Sequence, residues 1–101
     1  MRRVPRALEG HRFLGAGTVA VCSPKYAKEH RLAQPADLAR ATLITNATEP
    51  NEWEHWYRAQ RATPPARQRS TLALEQLFFA LQAAVDSLGV ALAPEALVKE
   101  D

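Results

Sequence analysis

Cys22 is the first candidate nucleophile in this sequence, and it lies at the end of an apolar run, Thr18–Cys22. No histidine lies near it in sequence to act as a base. Because free cysteine is among the most buried residue types, we interpret Cys22 as a packed, unreactive thiol. The three histidines, His11, His30 and His55, have no metal-ligand spacing and no second cysteine to join. We therefore expect them at the surface or at the rim of a cleft, and we expect no metal site.

Acid–base catalysis would require two carboxylates, or a carboxylate and a histidine, in one cleft. Glu49, Glu52, Glu54 and His55 are close in sequence, but they fall on a loop and on the outer face of a predicted helix, which predicts a solvated charge run. The sequence has no G-x-S-x-G motif and no glycine-rich phosphate loop. These patterns predict a binding domain with no catalytic residues and no cofactor. A small α/β enzyme that uses Cys22 or this carboxylate cluster is the alternative, and fast thiol labelling of Cys22 would favour it.

The composition is that of one small globular domain. The 101 residues have a mass of 11.2 kDa, and 47% of them are hydrophobic and 24% charged. Arg2, Arg3, Arg6 and Arg12 against Glu9 give residues 1–12 a net charge of +3, so the remaining residues of this +2 chain carry −1. A nucleic-acid binder usually shows a basic stripe across its folded part. We therefore expect no DNA contact by this chain.

The sequence also bears on the compartment. No apolar run approaches the ~18–20 residues that span a membrane, and no apolar stretch of about 7–15 residues follows the basic N-terminus as it would in a signal peptide. The single Cys22 cannot form an internal disulfide. These features predict a cytoplasmic protein that does not contact the membrane.

Apolar periodicity and turn residues predict alternating strands and helices after an irregular lead-in over residues 1–15. The predicted strands are Thr18–Cys22, Thr42–Thr45, Arg69–Leu74 and Val90–Ala93. The predicted helices are Lys25–His30, Pro35–Arg40, Glu52–Gln60 and Glu75–Ser87, with a last turn over Glu95–Val98. The strands are apolar throughout, as expected when helices cover both faces of a sheet. This order predicts an α/β fold, a three-layer α/β/α lobe with a largely parallel sheet.

Two helices carry apolar faces. The longest predicted helix has a broad apolar stripe, and Gly89 is placed to cap its C-terminus. The members of this stripe are Leu77, Phe78, Leu81, Ala84, Val85 and Leu88. In the preceding helix, Trp53, Trp56 and Tyr57 share one aromatic face, which is usually core. Trp53, just after a loop that ends a strand, is also a candidate for the rim of a ligand cleft.

Ligands of open α/β sheets bind beyond the carboxyl ends of the strands. Two loops, Thr45–Asn51 and Leu74–Gln76, follow strands at the same predicted edge. Helix N-termini at this edge offer unpaired N–H groups to anions. The residues themselves thus predict a small α/β binding lobe.

Three segments in order resemble LysR-type transcriptional regulators. Val19–Ala27 (VAVCSPKYA) looks like the family's strand and turn, and Pro35–Ile44 (PADLARATLI) looks like the stretch that follows it. Leu81–Pro94 (LQAAVDSLGVALAP) is similar to its helix–strand unit, with Ser87 where the family usually has glycine. The pair Trp53 and Trp56 also fits the family. The resemblance covers residues 17–98.

The resemblance implies an effector domain with two α/β lobes, similar to periplasmic binding proteins of type 2, and a separate winged helix for DNA. Residues 16–101 resemble the second lobe, without the winged helix, the first lobe and the family's closing strand. It implies a bacterial regulator that senses a small-molecule effector in the cleft between the lobes. The implied contacts are Thr45, Asn46, Ala47, Glu75 and Gln76. Glu75 at the pocket edge favours a cationic or neutral effector, unless it only caps its helix.

The same family implies self-association, a homodimer here and a tetramer of the parent regulator. Family dimers pack the first lobe of one subunit on the second lobe of another. Without that partner, apolar residues off the core stripe, such as Phe79 and Leu72, are expected to lie exposed and to favour a dimer. A lobe of a secreted solute-binding protein is the main alternative to the regulator.

Overall fold

The structure is a computed structural model that describes residues 9–11, 18–49 and 51–94. The predicted last turn, Glu95–Val98, and most of the lead-in lie outside these ranges. The strands are β1 (Glu9–His11), β2 (Thr18–Cys22), β3 (Thr42–Asn46), β4 (Ser70–Leu74) and β5 (Ala91–Pro94). The helices are α1 (Pro24–Glu29), a 3₁₀ helix (Pro35–Arg40), α2 (Glu52–Ala59) and α3 (Leu77–Val85).

The expectation of an irregular lead-in is wrong at Glu9–His11, which is a strand. It pairs antiparallel with β2, with Gly10 opposite Val21. It has only three residues, Glu9, Gly10 and His11, and these show no apolar alternation by which the sequence could predict a strand. The bounds of α3 are also narrower than predicted, since it begins at Leu77 rather than Glu75.

The strands form two sheets that meet at β3 and β5. β2 pairs antiparallel with both β1 and β5, whereas β3 and β4 pair in parallel. A parallel bridge between Leu43 and Val90 joins the two sheets. The expectation of a largely parallel sheet is therefore wrong for β1, β2 and β5. Apolar residues on both faces indicate that a strand is buried, but they do not indicate its direction. β2 and β5 are buried, and they pair antiparallel.

Helices cover both faces of these strands, as predicted. Successive residues of β2 point to opposite faces, so Ala20 and Cys22 join one core cluster while Val19 and Val21 join another. The first core cluster contains side chains of α1, the 3₁₀ helix and α2. The second core cluster contains Ala80, Leu81 and Ala84 of α3. The fold is thus α/β, with its strands between two helical layers.

The exposed face of α3 departs from the predicted stripe. Phe78 and Leu88 are 48% and 53% exposed, whereas Ala80 and Ala83, outside the predicted stripe, are buried. Phe79 is 59% exposed, as expected. Leu72 is half-buried and packs against the second core cluster. The small alanines let α3 lie close to the strands, and this orientation leaves the two phenylalanines outside.

Each of the three α-helices ends in a Schellman motif whose left-handed residue is not glycine. Arg31, Arg61 and Ser87 have φ of 54°, 56° and 61°. At the end of α3, the N–H of Ser87 donates to Ala84 O (3.1 Å), and the N–H of Leu88 donates to Ala83 O (3.0 Å). Ser87 Oγ also lies 2.6 Å from Ser23 Oγ. Ser87, and not Gly89, is therefore the left-handed residue that ends this helix.

Gly89 serves a different purpose, close approach of two backbones. A Cβ built there would lie 2.5 Å from Thr42 O, too close for any side chain. The absence of a side chain lets β3 and the segment before β5 form backbone hydrogen bonds. The expectation that Gly89 caps α3 is thus wrong.

The end of α2 offers a direct test of left-handed strain. A left-handed conformation costs a residue with a Cβ about 1–2 kcal/mol. Arg61→Gly should therefore raise the free energy of unfolding by about 1 kcal/mol relative to Arg61→Ala, which removes the same exposed side chain but keeps the Cβ. Urea denaturation of the two variants measures this difference. An alanine variant as stable as the glycine variant would show that the left-handed residue is not strained.

Candidate functional site

The carboxyl ends of β3 and β4 meet at one edge because the two strands are parallel and in register. Asn46 lies opposite Leu74 at the last pair of the ladder, and the N–H of Ala47 donates to Leu74 O at 3.0 Å. Gln76 follows at the N-cap position of α3, where its side chain makes no capping hydrogen bond. Both predicted loops therefore lie at the same edge.

A small concavity of about 20 Å³ opens at this edge. Its polar lining comes from Thr45, Asn46, Gln76 and Glu52. Its apolar lining comes from Ile44, Leu74, Leu77, Ala80 and Leu92. Three of the predicted effector-binding residues, Thr45, Asn46 and Gln76, are thus neighbours in space.

The loop after β3 is held by one of these residues. Asn46 Oδ1 accepts hydrogen bonds from the backbone N–H of Thr48 (2.9 Å) and from Thr48 Oγ1 (2.7 Å). This turn fixes the direction in which the chain leaves the sheet. Ala47 is exposed within it. The backbone conformation at the edge is therefore set before any ligand binds.

Glu75 and Trp53 lie apart from this concavity. Glu75 is exposed one residue before the N-cap of α3 and does not cap that helix. Trp53 is only 6% exposed, and its indole N–H donates to Ile44 O at 2.9 Å. Its ring also packs edge-on against Trp56, with 5.3 Å between centroids. The structure thus corrects the rim position predicted for Trp53, because α2 turns that ring toward the sheet.

A larger groove of about 450 Å³ lies beside α2. Its size falls within the range of small-molecule sites, about 300–1,000 Å³. Four of its residues lie on one face of α2 at helical spacing: Glu52, His55, Trp56 and Ala59. Thr18, Glu49 and Asn51 complete the described lining. Glu52 lines both the groove and the small concavity.

The prediction of a solvated charge run missed this groove. Glu54 is exposed and pairs with Arg58 at 3.6 Å, as such a run predicts. Glu49 and His55 are also exposed, but they line the groove together with the half-buried Glu52. The spacing of positions 52, 55, 56 and 59 places them on one face. That spacing is the sequence signal by which the groove could have been found.

The electrostatics of the groove are acidic. Burial raises the pKa of the Glu52 carboxyl, and the nearby charge of Glu49 raises it further. Neither concavity has a lysine or arginine among its described lining residues. Among the described residues, a ligand that enters the groove therefore meets carboxylates and one imidazole, that of His55.

The other candidate groups are structural. Cys22 is fully buried in the first core cluster, as predicted. The ring of His30 stacks on Tyr26 at 3.9 Å, and its Nδ1 lies 3.0 Å from Tyr26 O.

Within residues 9–11, 18–49 and 51–94, no group of three or more histidine, cysteine, aspartate or glutamate side chains could hold a metal ion. The helices of these ranges are too short or too polar to cross a bilayer.

The chain belongs to the LysR substrate binding domain family, which it matches over residues 2–101. It is 41% identical over 83 residues to the HTH-type transcriptional regulator TrpI of Pseudomonas aeruginosa. It is 37% identical over 81 residues to the HTH-type transcriptional regulator PerR of Escherichia coli. Each match covers 80% of this chain but only 28% and 26% of the relatives. Both relatives are transcriptional regulators.

Solved effector domains share the fold. The effector domain of the transcriptional regulator AmpR of Pseudomonas aeruginosa superposes with a TM-score of 0.69 at 28% identity. The match covers 95% of this chain and 46% of that one. The AmpR effector binding domain from Citrobacter freundii has a TM-score of 0.64 at 23% identity, covering 92% of this chain and 46% of that one. The chain thus spans about half of these domains.

Removing the Glu52 charge should stabilise the fold at neutral pH. Because the pKa of Glu52 is raised in the folded state, ionised Glu52 opposes folding above that pKa, and the opposition disappears as the pH falls through it. We therefore expect Glu52→Gln to melt at a higher temperature than Glu54→Gln at pH 7, with the gap closing toward pH 4. Circular dichroism melts across this pH range measure the gap.

Glu54→Gln is the matched control because it also removes a carboxylate from the first turn of α2. Both variants lose a favourable interaction with the helix dipole. Glu54→Gln also loses the exposed pair with Arg58, which contributes about 0.5 kcal/mol at most, so the gap that counts is the part that closes as the pH falls. A Glu52→Gln variant that melts below Glu54→Gln at pH 7 would contradict the expectation.

Proposed function

We propose that this chain is the second lobe of the effector-binding domain of a bacterial LysR-type transcription factor in the cytoplasm. Membership of the LysR substrate binding domain family supports the regulatory role. The match to about half of each solved effector domain supports assignment to a single lobe of a two-lobed fold similar to type 2 periplasmic binding proteins. In this proposal, DNA is contacted by another part of the regulator.

One observation supports the proposed site: Thr45, Asn46 and Gln76 line the same concavity at the carboxyl ends of β3 and β4. These side chains offer a hydroxyl and two amides, which together donate and accept hydrogen bonds. The groove beside α2 adds volume next to them, and Glu52 joins the two spaces. The effector is held in the groove with its polar groups on this edge.

Binding at this edge becomes regulation if the effector also contacts a first lobe. A ligand shifts an equilibrium only by its difference in affinity for the two states. An effector that contacts both lobes has such a difference, since the closed arrangement makes more contacts than the open one. The β3–β4 edge therefore supplies half of the contacts that favour the closed state.

The proposed site is tested by NMR titration of the ¹⁵N-labelled chain with a panel of amino acids, aromatic acids and amines. Compounds that bind should shift the amides of Thr45, Asn46 and Gln76. Gln76→Ala should weaken the affinity for these compounds about three- to tenfold, as expected for one lost hydrogen bond. Gln82→Ala is the matched control, because Gln82 is exposed farther along α3. Binding that shifts only amides of α1 and the 3₁₀ helix would contradict the proposal.

We also propose that the chain forms a homodimer through the exposed face of α3. Phe78, Phe79 and Leu88 are the large hydrophobic side chains left exposed among the described residues, and they lie on or just after α3. Uncovered apolar patches commonly mark contact surfaces. The apolar face of α3 thus supports pairing with a second copy.

Light scattering across a concentration series tests the dimer. The average mass should rise with concentration toward twice 11.2 kDa. Phe79→Glu should hold the mass at the monomer value, because pairing would bury its charge. Ala36→Glu, which adds the same charge at an exposed position of the 3₁₀ helix in the other helical layer, separates a local effect from general repulsion. A wild-type mass that stays near 11.2 kDa at every concentration would contradict the dimer.

A further inference from the structure

Glu52 is the one described residue that lines both concavities at the candidate site. It is the first residue of α2, and it lines both the groove and the small concavity. A ligand that extends from one space into the other passes this residue. Glu52 is therefore placed to decide which ligands fit.

The carboxylate of Glu52 has no hydrogen-bond or ion-pair partner among the described residues. Some other carboxylates in this part of the chain, those of Asp37, Glu54 and Asp86, have partners. Asp37 accepts from the backbone N–H groups of Ala33 (2.9 Å) and Gln34 (3.0 Å), and Glu54 pairs with Arg58. Glu52 is half-buried, so it loses hydration without receiving protein contacts in return. A ligand that donates hydrogen bonds would supply these contacts.

The charges around Glu52 favour a positive ligand. Glu49 lines the same groove, and the described lining residues include no lysine or arginine. The positive end of the α2 dipole, equivalent to about half a unit charge, offsets only part of the two carboxylates. Among the described lining residues, a carboxylate or phosphate ligand would meet repulsion without a lysine or arginine partner.

The walls favour an organic cation over a metal ion. Trp56 lines the groove, and Leu74, Leu77 and Leu92 line the small concavity. Among the described residues, no group of three or more histidine, cysteine, aspartate or glutamate side chains could hold a metal ion. An ammonium group on an apolar body matches the carboxylate and the apolar wall, since its three N–H donors bind oxygen atoms and its body packs in the larger groove, which Trp56 lines.

We propose that the effector is a primary amine with a small apolar body, and that the Glu52 carboxylate selects it by accepting hydrogen bonds from its ammonium group. This inference rests on the proposed function of the edge. The cationic preference earlier assigned to Glu75 belongs to Glu52, because Glu75 lines neither concavity.

Three probes that share a phenylethyl body test the charge preference: 2-phenylethylamine, 3-phenylpropanoate and 2-phenylethanol. Each is titrated into the ¹⁵N-labelled chain at low salt and neutral pH. The amine should shift the amides of Glu52 and His55, and it should bind about tenfold tighter than the other two, as expected for a charge-assisted hydrogen bond. Glu52→Gln should weaken the affinity for the amine about tenfold, while Glu52→Asp should retain most of that affinity.

Glu54→Gln is the matched control, because it removes the same charge from the same helical turn outside the concavities. An equal loss of amine affinity in Glu54→Gln and Glu52→Gln would overturn selection by Glu52. Binding of the propanoate at the same amides, as tight as the amine, would overturn the ligand class but leave the proposed site in place. If no probe shifts these amides, both the ligand class and the proposed site are overturned.

Discussion

Val90 joins the two sheets of this chain through backbone hydrogen bonds that a glycine before it permits. Its N–H donates to Thr42 O at 2.9 Å, and its carbonyl accepts from the N–H of Ile44 at 2.8 Å. Any Cβ at Gly89 would collide with the Thr42 carbonyl. The antiparallel strands and the parallel pair therefore form one layer only because residue 89 has no side chain.

The candidate site depends on this junction. The small concavity is lined by residues of β3 and β4 and by Leu92 of β5, so it lies where the two sheets meet. Thr18 of β2 and Glu52 of α2 line the groove beside it. Trp53 holds α2 against β3, because its indole N–H donates to Ile44 O. The backbone contact between β3 and the segment Gly89–Val90 binds no ligand, but it thus sets the distances between the polar groups of the candidate site.

Local signals predicted the elements well, and long-range contacts account for the errors. The strand Thr18–Cys22 and the 3₁₀ helix Pro35–Arg40 have the predicted bounds, because apolar composition and proline act locally. Strand direction and the exposure of Phe78 depend on partners distant in sequence. The loop residues Thr45, Asn46 and Gln76 were predictable from strand ends. Glu52 was not, because its burial depends on how α2 lies against the sheet.

Glu52 connects the stability of the lobe with its proposed function. Burial and the charge of Glu49 raise its pKa, so keeping it ionised opposes folding. A folded chain retains such a group when it has a use, and functional sites are where local rules are most often broken. A cation bound there would remove the opposition and stabilise the folded lobe by linkage. The interaction that gives the site its selectivity would then also make the bound lobe more stable than the free one.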